Sequence, residues 1–183
     1  MKITAVKTFL MHVGAPHSGR GQPVAGYSGN LTGTRNWLFI KVYTDAGVTG
    51  IGACSGWPRV VETAVQDLQR LLIGEDPTHI ERLWQKMQIA TMGHGMTGTV
   101  GAGAMTGIDM ALWDIKGKVL NTPVWNLLGG QVRDKVRIYA HANTPEVALS
   151  LKARGVTAIK CGGVSDPVRK VAALREAVGD EMD

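Results

Sequence analysis

Ala104-Met105-Thr106-Gly107-Ile108-Asp109-Met110-Ala111-Leu112-Trp113-Asp114-Ile115-Lys116-Gly117-Lys118 runs on to Pro123-Val124-Trp125-Asn126-Leu127-Leu128-Gly129-Gly130, and this stretch decides the fold. Met105, Ile108, Leu112, Ile115 and Val119 recur at steps of three and four, which is one apolar face of an α-helix. Asp114 and Lys118 are spaced to pair one turn apart on its outside. Pro123 bars continuation of the helix, and Gly129-Gly130 ends the short turn that follows. The stretch therefore reads as an amphipathic helix, a turn, and the start of a new unit.

Toward the N-terminus, residues 2–13 read as a strand carrying Ile3, Val6, Phe9 and Met11. Residues 14–36 are rich in Gly, Ser, Pro and Asn, and a loop of that length inside a compact domain is usually functional or disordered. Residues 37–44 form a strong strand, Asp45-Ala46-Gly47 turns it, and residues 48–53 return as its hairpin partner. The start is thus a three-stranded antiparallel meander. Val61, Val65, Leu68 and Leu72 then line a helix stopped by Gly74. Asp76-Pro77 restarts a helix whose stripe is Ile80, Leu83, Trp84 and Met87, with Thr78 and Glu81 spaced for a capping box. Beyond Lys135 the rhythm changes. Residues 136–141 and 156–161 read as strands. Residues 145–154 and 167–178 read as helices stopped by Gly155 and Gly179. That alternation is the pattern of a parallel sheet with right-handed crossovers.

The totals exclude several function classes. A net charge of +5 without a Lys/Arg cluster gives no footprint for nucleic acid. No apolar run approaches a membrane span, and no export signal is visible, so a cytoplasmic chain with reduced thiols is expected. Cys54 and Cys161 lie far apart, without zinc or redox spacing. Gly93-His94-Gly95-Met96-Thr97-Gly98 matches a dinucleotide fingerprint, but it follows a helix rather than a strand and reads as an interhelical loop.

In its wording the opening stretch resembles the mandelate racemase/muconate-lactonising branch of the enolase superfamily. In that branch such a helix closes a capping domain just before a barrel begins. The resemblance covers the whole chain: the meander with a long loop after its first strand, the Gly-Glu-Asp-Pro step at 74–77, the helix, the Leu128-Gly129-Gly130 turn, and a lysine ending the second barrel strand. It implies an α+β capping domain over residues 1–130, a three-stranded antiparallel meander plus a helical bundle. Over residues 131–183 it implies the first two βα units of a TIM-like (β/α) barrel. That barrel is incomplete, since one takes about 250 residues.

The resemblance further implies Mg²⁺, which the family holds through three acidic residues on the third, fourth and fifth barrel strands. The metal stabilises the enolate formed when a base removes the proton α to a substrate carboxylate. No metal ligand is expected within these residues, because Asp180 and Asp183 fall at the beginning of the third strand. The implied partners are a sugar acid or other carboxylate and further copies of the chain in a homo-oligomer.

Racemase-like members carry Lys-x-Lys at the end of the second barrel strand; this chain has Lys160-Cys161-Gly162. The resemblance makes Lys160 the catalytic residue, a positive charge near the substrate carboxylate, and leaves no second lysine to act as base. A dehydratase of galactonate- or rhamnonate-type sugar acids needs only one α-proton base, which a later strand can supply. That favours a dehydratase. His17, Arg20 and Tyr27 in the long loop, Trp57 after the hairpin, and His141 at the end of the first barrel strand are the candidate substrate contacts. Two alternatives stay open: a racemase or cycloisomerase of the same superfamily, and a non-catalytic truncated product or assembly module. Residues 1–183 alone are expected to be inactive.

Overall fold

The alternating pattern of the N-terminal third becomes a three-stranded antiparallel sheet of β1 (Ile3–Val13), β2 (Arg35–Thr44) and β3 (Thr49–Cys54), in that spatial order. The computed structural model describes residues 1–13, 35–93, 98–162 and 166–183. The long predicted loop falls outside them, except that Arg35 and Asn36 extend β2. Alternation sends Val6, Leu38, Ile40 and Val42 into the core, while Phe9, Met11, Trp37, Phe39 and Ile51 lie on the exposed face.

Four helices follow: α1 (Pro58–Leu72), α2 (Ile80–Met92), α3 (Thr99–Val119) and α4 (Val124–Leu127). Their apolar faces are those expected. Val61, Val65, Leu68 and Leu72 of α1, Ile80, Leu83 and Met87 of α2, and Met105, Ile108, Leu112 and Ile115 of α3 share one core. Val119 departs from the predicted stripe and is exposed. It lies one turn past Ile115, whose side chain borders Gly50 near the start of β3, so the helix has run beyond the strand.

The contact between α3 and β3 is backbone against backbone. A Cβ placed on Gly50 would collide with the carbonyl oxygen of Ala111, and one on Gly52 with that of Gly107. From the helix side, a Cβ on Gly107 would meet the Cys54 sulfur, and one on Gly103 the carbonyl oxygen of Ser55. Glycine is required here for close approach. The Cys54 thiol, desolvated in this contact, is pushed up to about 11.

Asp114 and Lys118 pair at 2.7 Å as their spacing predicts, but not simply on the outside of the helix. The Asp114 carboxylate also accepts from the Ile51 backbone N–H at 2.9 Å, and the Lys118 ammonium donates to the Thr49 carbonyl at 2.8 Å. Together they occupy hydrogen-bonding groups on the outer edge of β3, which otherwise invites pairing with another strand.

The predicted capping box at the start of α2 does not form. The Thr78 hydroxyl donates to the Asp76 carboxylate at 2.8 Å instead, and the Thr78 N–H donates to the same oxygen at 2.9 Å. Asp76 has taken the hydroxyl that would have capped, and those bonds hold its carboxyl below the usual range. The helix starts later, at Ile80. The Gly-Glu-Asp-Pro step is tied to the start of β1, where Ile3 donates to the Glu75 carbonyl and Gly74 donates to the Ile3 carbonyl, both at 2.9 Å.

A second compact unit spans Val132–Asp183. It contains β4 (Ala140–His141), α5 (Pro145–Ala153), β5 (Ile159–Lys160) and α6 (Pro167–Val178), with β4 and β5 parallel. Thr144 caps α5 and Asp166 caps α6 through their side chains. Ala142, Ala148, Leu174, Val178 and Met182 form a small separate core.

Both strands are far shorter than the predicted 136–141 and 156–161. The first rung of the ladder is Ala140 N–H to the Ala158 carbonyl, and the paired strands reach only as far as such bonds. Val136 and Ile138 lie ahead of that rung and are each 73% exposed. On the other edge of β5, Asp183 donates to the Thr157 carbonyl at 3.0 Å and accepts from Ile159 N–H at 2.7 Å, the bonding of a third parallel strand at its beginning.

Candidate functional site

The register of the second unit places His141 directly beside Lys160, each the last residue of its strand. Adjacent strands lie about 4.8 Å apart, and register partners in a parallel pair point to the same face. Ala142, Ile159 and Cys161 pack with Ala148, Leu174 and Val178 on the helix side of the sheet. His141 and Lys160, one residue out of phase with them, therefore stand on the face turned away from α5 and α6, and both are exposed. A groove of about 150 Å³ lies on the opposite, helix side. Ile159, Cys161, Leu174, Val178 and Met182 line it, and neither His141 nor Lys160 does.

Just past the pair the ladder changes character. Ala142 N–H donates to the Lys160 carbonyl at 3.1 Å, a regular rung. The next donor, Gly162 N–H, bonds the Asn143 side-chain oxygen at 2.9 Å rather than a main-chain carbonyl. The Gly162 carbonyl in turn accepts from the Lys170 ammonium at 2.7 Å. Asn143 and Lys170 were not singled out by sequence reasoning. The only signal for them is a polar residue one step past a strand end and a lysine in the first turn of the following helix.

His17, Arg20 and Tyr27 lie outside the described residues, as does most of the Gly93–Gly98 motif. Trp57 is 56% exposed at the N-cap of α1, in the first unit.

The carboxylates do not assemble a metal site with the described residues. Among them no three His, Cys, Asp or Glu side chains converge. Asp183 ion-pairs with Arg137 at 2.6 Å, and Arg137 also donates to Thr157, so this acid stands at the end of the sheet where the strands begin. Asp166, which follows the lysine-bearing strand, uses its oxygen on Arg169 N–H. These residues do not fit a Mg²⁺ site beside Lys160. No helix among the described residues is long and apolar enough to cross a membrane.

Residues 19–129, more than half of the chain, match the N-terminal domain of the mandelate racemase/muconate lactonizing enzyme family. The chain belongs to this family. Solved structures of enolase-superfamily proteins agree along its whole length. A candidate mandelate racemase from Bordetella bronchiseptica RB50 is 35% identical with a TM-score of 0.82, and the match covers 100% of this chain and 50% of that one. The 3,6-anhydro-D-galactonate cycloisomerase from Zobellia galactanivorans is 30% identical with a TM-score of 0.81, covering 100% and 49%. An enolase from Agrobacterium radiobacter, solved with sodium and L-malate, is 27% identical with a TM-score of 0.74, covering 100% and 47%. This mandelate racemase/muconate lactonizing enzyme family chain spans about half the length of those relatives. The family's members are enzymes, among them dehydratases, isomerases and racemases, and superfamily members bind Mg²⁺.

Proposed function

We propose that this chain supplies the capping domain and the first two barrel strands of a Mg²⁺-dependent sugar-acid dehydratase, with Lys160 as the cation that meets the substrate carboxylate. The observation that carries the reading is the position of Lys160: last residue of β5, on the face away from the helices, beside His141. In barrels of this kind chemistry gathers at the C-terminal ends of the strands.

Removing a proton α to a carboxylate pushes negative charge onto the carboxylate oxygens. An ammonium already in place opposes that charge without reorganising during the step. His141, at the same level on the neighbouring strand, offers a second nitrogen to the same carboxylate or to the hydroxyl next to it. Gly162 puts no side chain where the second lysine of racemase-like members would stand, so proton exchange on two faces has no lysine partner here. That supports elimination over racemisation. The acids that would hold Mg²⁺ belong to later strands in this reading.

A cycloisomerase is the second reading, because the Zobellia relative acts on a sugar-derived acid at 30% identity. The test is the complete product of the gene purified from its native cell, assayed with Mg²⁺ against a panel of sugar acids. A 2-keto-3-deoxy product and a loss of about 10²–10³ in kcat for Lys160→Ala are expected. Turnover indifferent to Lys160→Ala would remove Lys160 from the chemistry. An isomeric product without loss of water would favour the cycloisomerase.

A further inference from the structure

We infer that Asn143 is a positioning residue for Lys160, holding the end of β5 from β4 while Lys170 holds it from α6. The inference rests on the reading of Lys160 given above, but its geometry stands on its own. In a continuing parallel ladder the Gly162 N–H would bond the Ala142 carbonyl. Here it bonds the Asn143 side chain at 2.9 Å, so a side-chain amide replaces a main-chain acceptor.

That replacement lets the two strands part immediately after the His141–Lys160 level without leaving the Gly162 donor unpaired. The Lys170 bond to the Gly162 carbonyl at 2.7 Å fixes the other side of the same residue. Both polar groups of the residue two places past Lys160 are thereby anchored to different elements. A glycine is the residue least able to hold its own conformation, so external bonds must do so. With Gly162 free, the chain beyond the Ala142–Lys160 rung would lose both of the bonds described for that glycine, while the bonds to Asp183 hold only residues ahead of Lys160.

The alternative is that Asn143 merely closes a loop and that its loss leaves Lys160 in place. NMR on the 183-residue chain separates the two. Three signals are read in the wild type, Asn143→Ala, Asn143→Asp and Lys170→Met: Gly162 amide exchange, cross-relaxation between the His141 ring and the Lys160 methylenes, and the Leu174 and Val178 methyl resonances as a check on folding.

Asn143→Ala should speed Gly162 exchange about five- to tenfold, the worth of one net hydrogen bond, and weaken the His141–Lys160 signal. Asn143→Asp keeps an acceptor and should restore both. Lys170→Met should loosen Gly162 through its carbonyl alone, which keeps the test alive if Asn143→Ala unfolds the unit. A His141–Lys160 signal unchanged in a folded Asn143→Ala, or in Lys170→Met should Asn143→Ala unfold, with the methyl resonances intact, overturns the inference. A parallel titration with L-malate reads the Lys160 methylenes. If malate leaves them unmoved in the wild type, the carboxylate role of Lys160 fails, while the positioning result is decided by the other signals.

Discussion

Substituting Gly52→Ala should unfold the first unit more easily than any reading of helix or strand propensity suggests. The added Cβ would meet the Gly107 carbonyl oxygen, with the Gly107 carbonyl carbon at 2.9 Å and the Ala111 nitrogen at 3.2 Å behind it. All three are backbone atoms of α3, so no rotamer change relieves the clash. Restoring ordinary contact requires α3 to retreat by roughly 1.5 Å, which forfeits dispersion along the neighbouring contacts. Overpacking of this kind costs about 1–3 kcal/mol. The reduced freedom of the unfolded chain returns about 0.4–1 kcal/mol. With rigid atoms on both sides the upper end of the cost applies, leaving a loss of about 2 kcal/mol. The five tryptophans, Trp37, Trp57, Trp84, Trp113 and Trp125, all precede Val132, so their fluorescence reports the first unit alone. In urea the midpoint should fall by about 1 M at unchanged slope. Gly93→Ala is the matched control: its φ is −67° with open space around the added carbon, and it should be neutral or slightly stabilising. A Gly52→Ala midpoint equal to that of Gly93→Ala would refute the argument that glycines set the distance between α3 and β3.

Asp109→Asn should raise stability at pH 7. Desolvation, and then Glu81, raise the Asp109 pKa above 3.8, so the folded state holds that proton more tightly. The associated stability is fully present below the unfolded value and is lost as pH rises through the folded one; urea midpoints of the two proteins should therefore converge at low pH. Asp114→Ala should cost about 1 kcal/mol and speed amide exchange at Ile51, since it strips the Ile51 N–H of its carboxylate acceptor and leaves Lys118 only the Thr49 carbonyl of the two bonds described. The isolated chain should self-associate in light scattering as concentration rises, because Val132, Val136 and Ile138 are 88%, 73% and 73% exposed in the second unit; a monomer at high concentration would contradict this.

The apolar periodicities carried most of the first unit. Apart from Val119, which is exposed, and Trp84, which is half-buried, α1, α2 and α3 bury the residues their spacing marks, because those faces need only a partner of any kind. What periodicity could not show is the glycine stripe. Gly103 and Gly107 count as breakers in a propensity reading, yet they sit buried in the longest helix, where small size alone matters. The α2 capping box failed through competition: Asp76, two residues upstream, reached the Thr78 hydroxyl first. The second-unit strands were overdrawn because a ladder requires neighbours, and only four residues of β4 and β5 have them. The His141–Lys160 pairing was out of reach for the same reason. Eighteen residues, a helix among them, separate the two, and the observed register brings them level.

On the reading proposed above, Lys160 is a component of a site and not a catalyst by itself, and the magnitudes say why. An exposed ammonium 4 Å from a developing negative charge is worth about 1 kcal/mol in bulk water. Enzymes lower their barriers by about 8–23 kcal/mol. His141 is exposed as well, and no group of acids converges among the described residues, so within the second unit the described groups give the ammonium neither a dry cavity nor a metal-based field. Residues 1–183 alone should therefore show no dehydration, racemisation or cycloisomerisation of a sugar acid, with or without Mg²⁺. The assay is a long incubation of the purified chain with a panel of sugar acids, followed by carbonyl trapping and by chiral chromatography of the recovered acid. Binding is a separate matter: a weak L-malate shift at Lys160 is compatible with inactivity, because uniform binding of a ground-state carboxylate does not accelerate the step. Mg²⁺-dependent turnover by this chain, abolished by Lys160→Ala, would show that its own residues build the preorganised charge that the geometry of β4 and β5 does not account for.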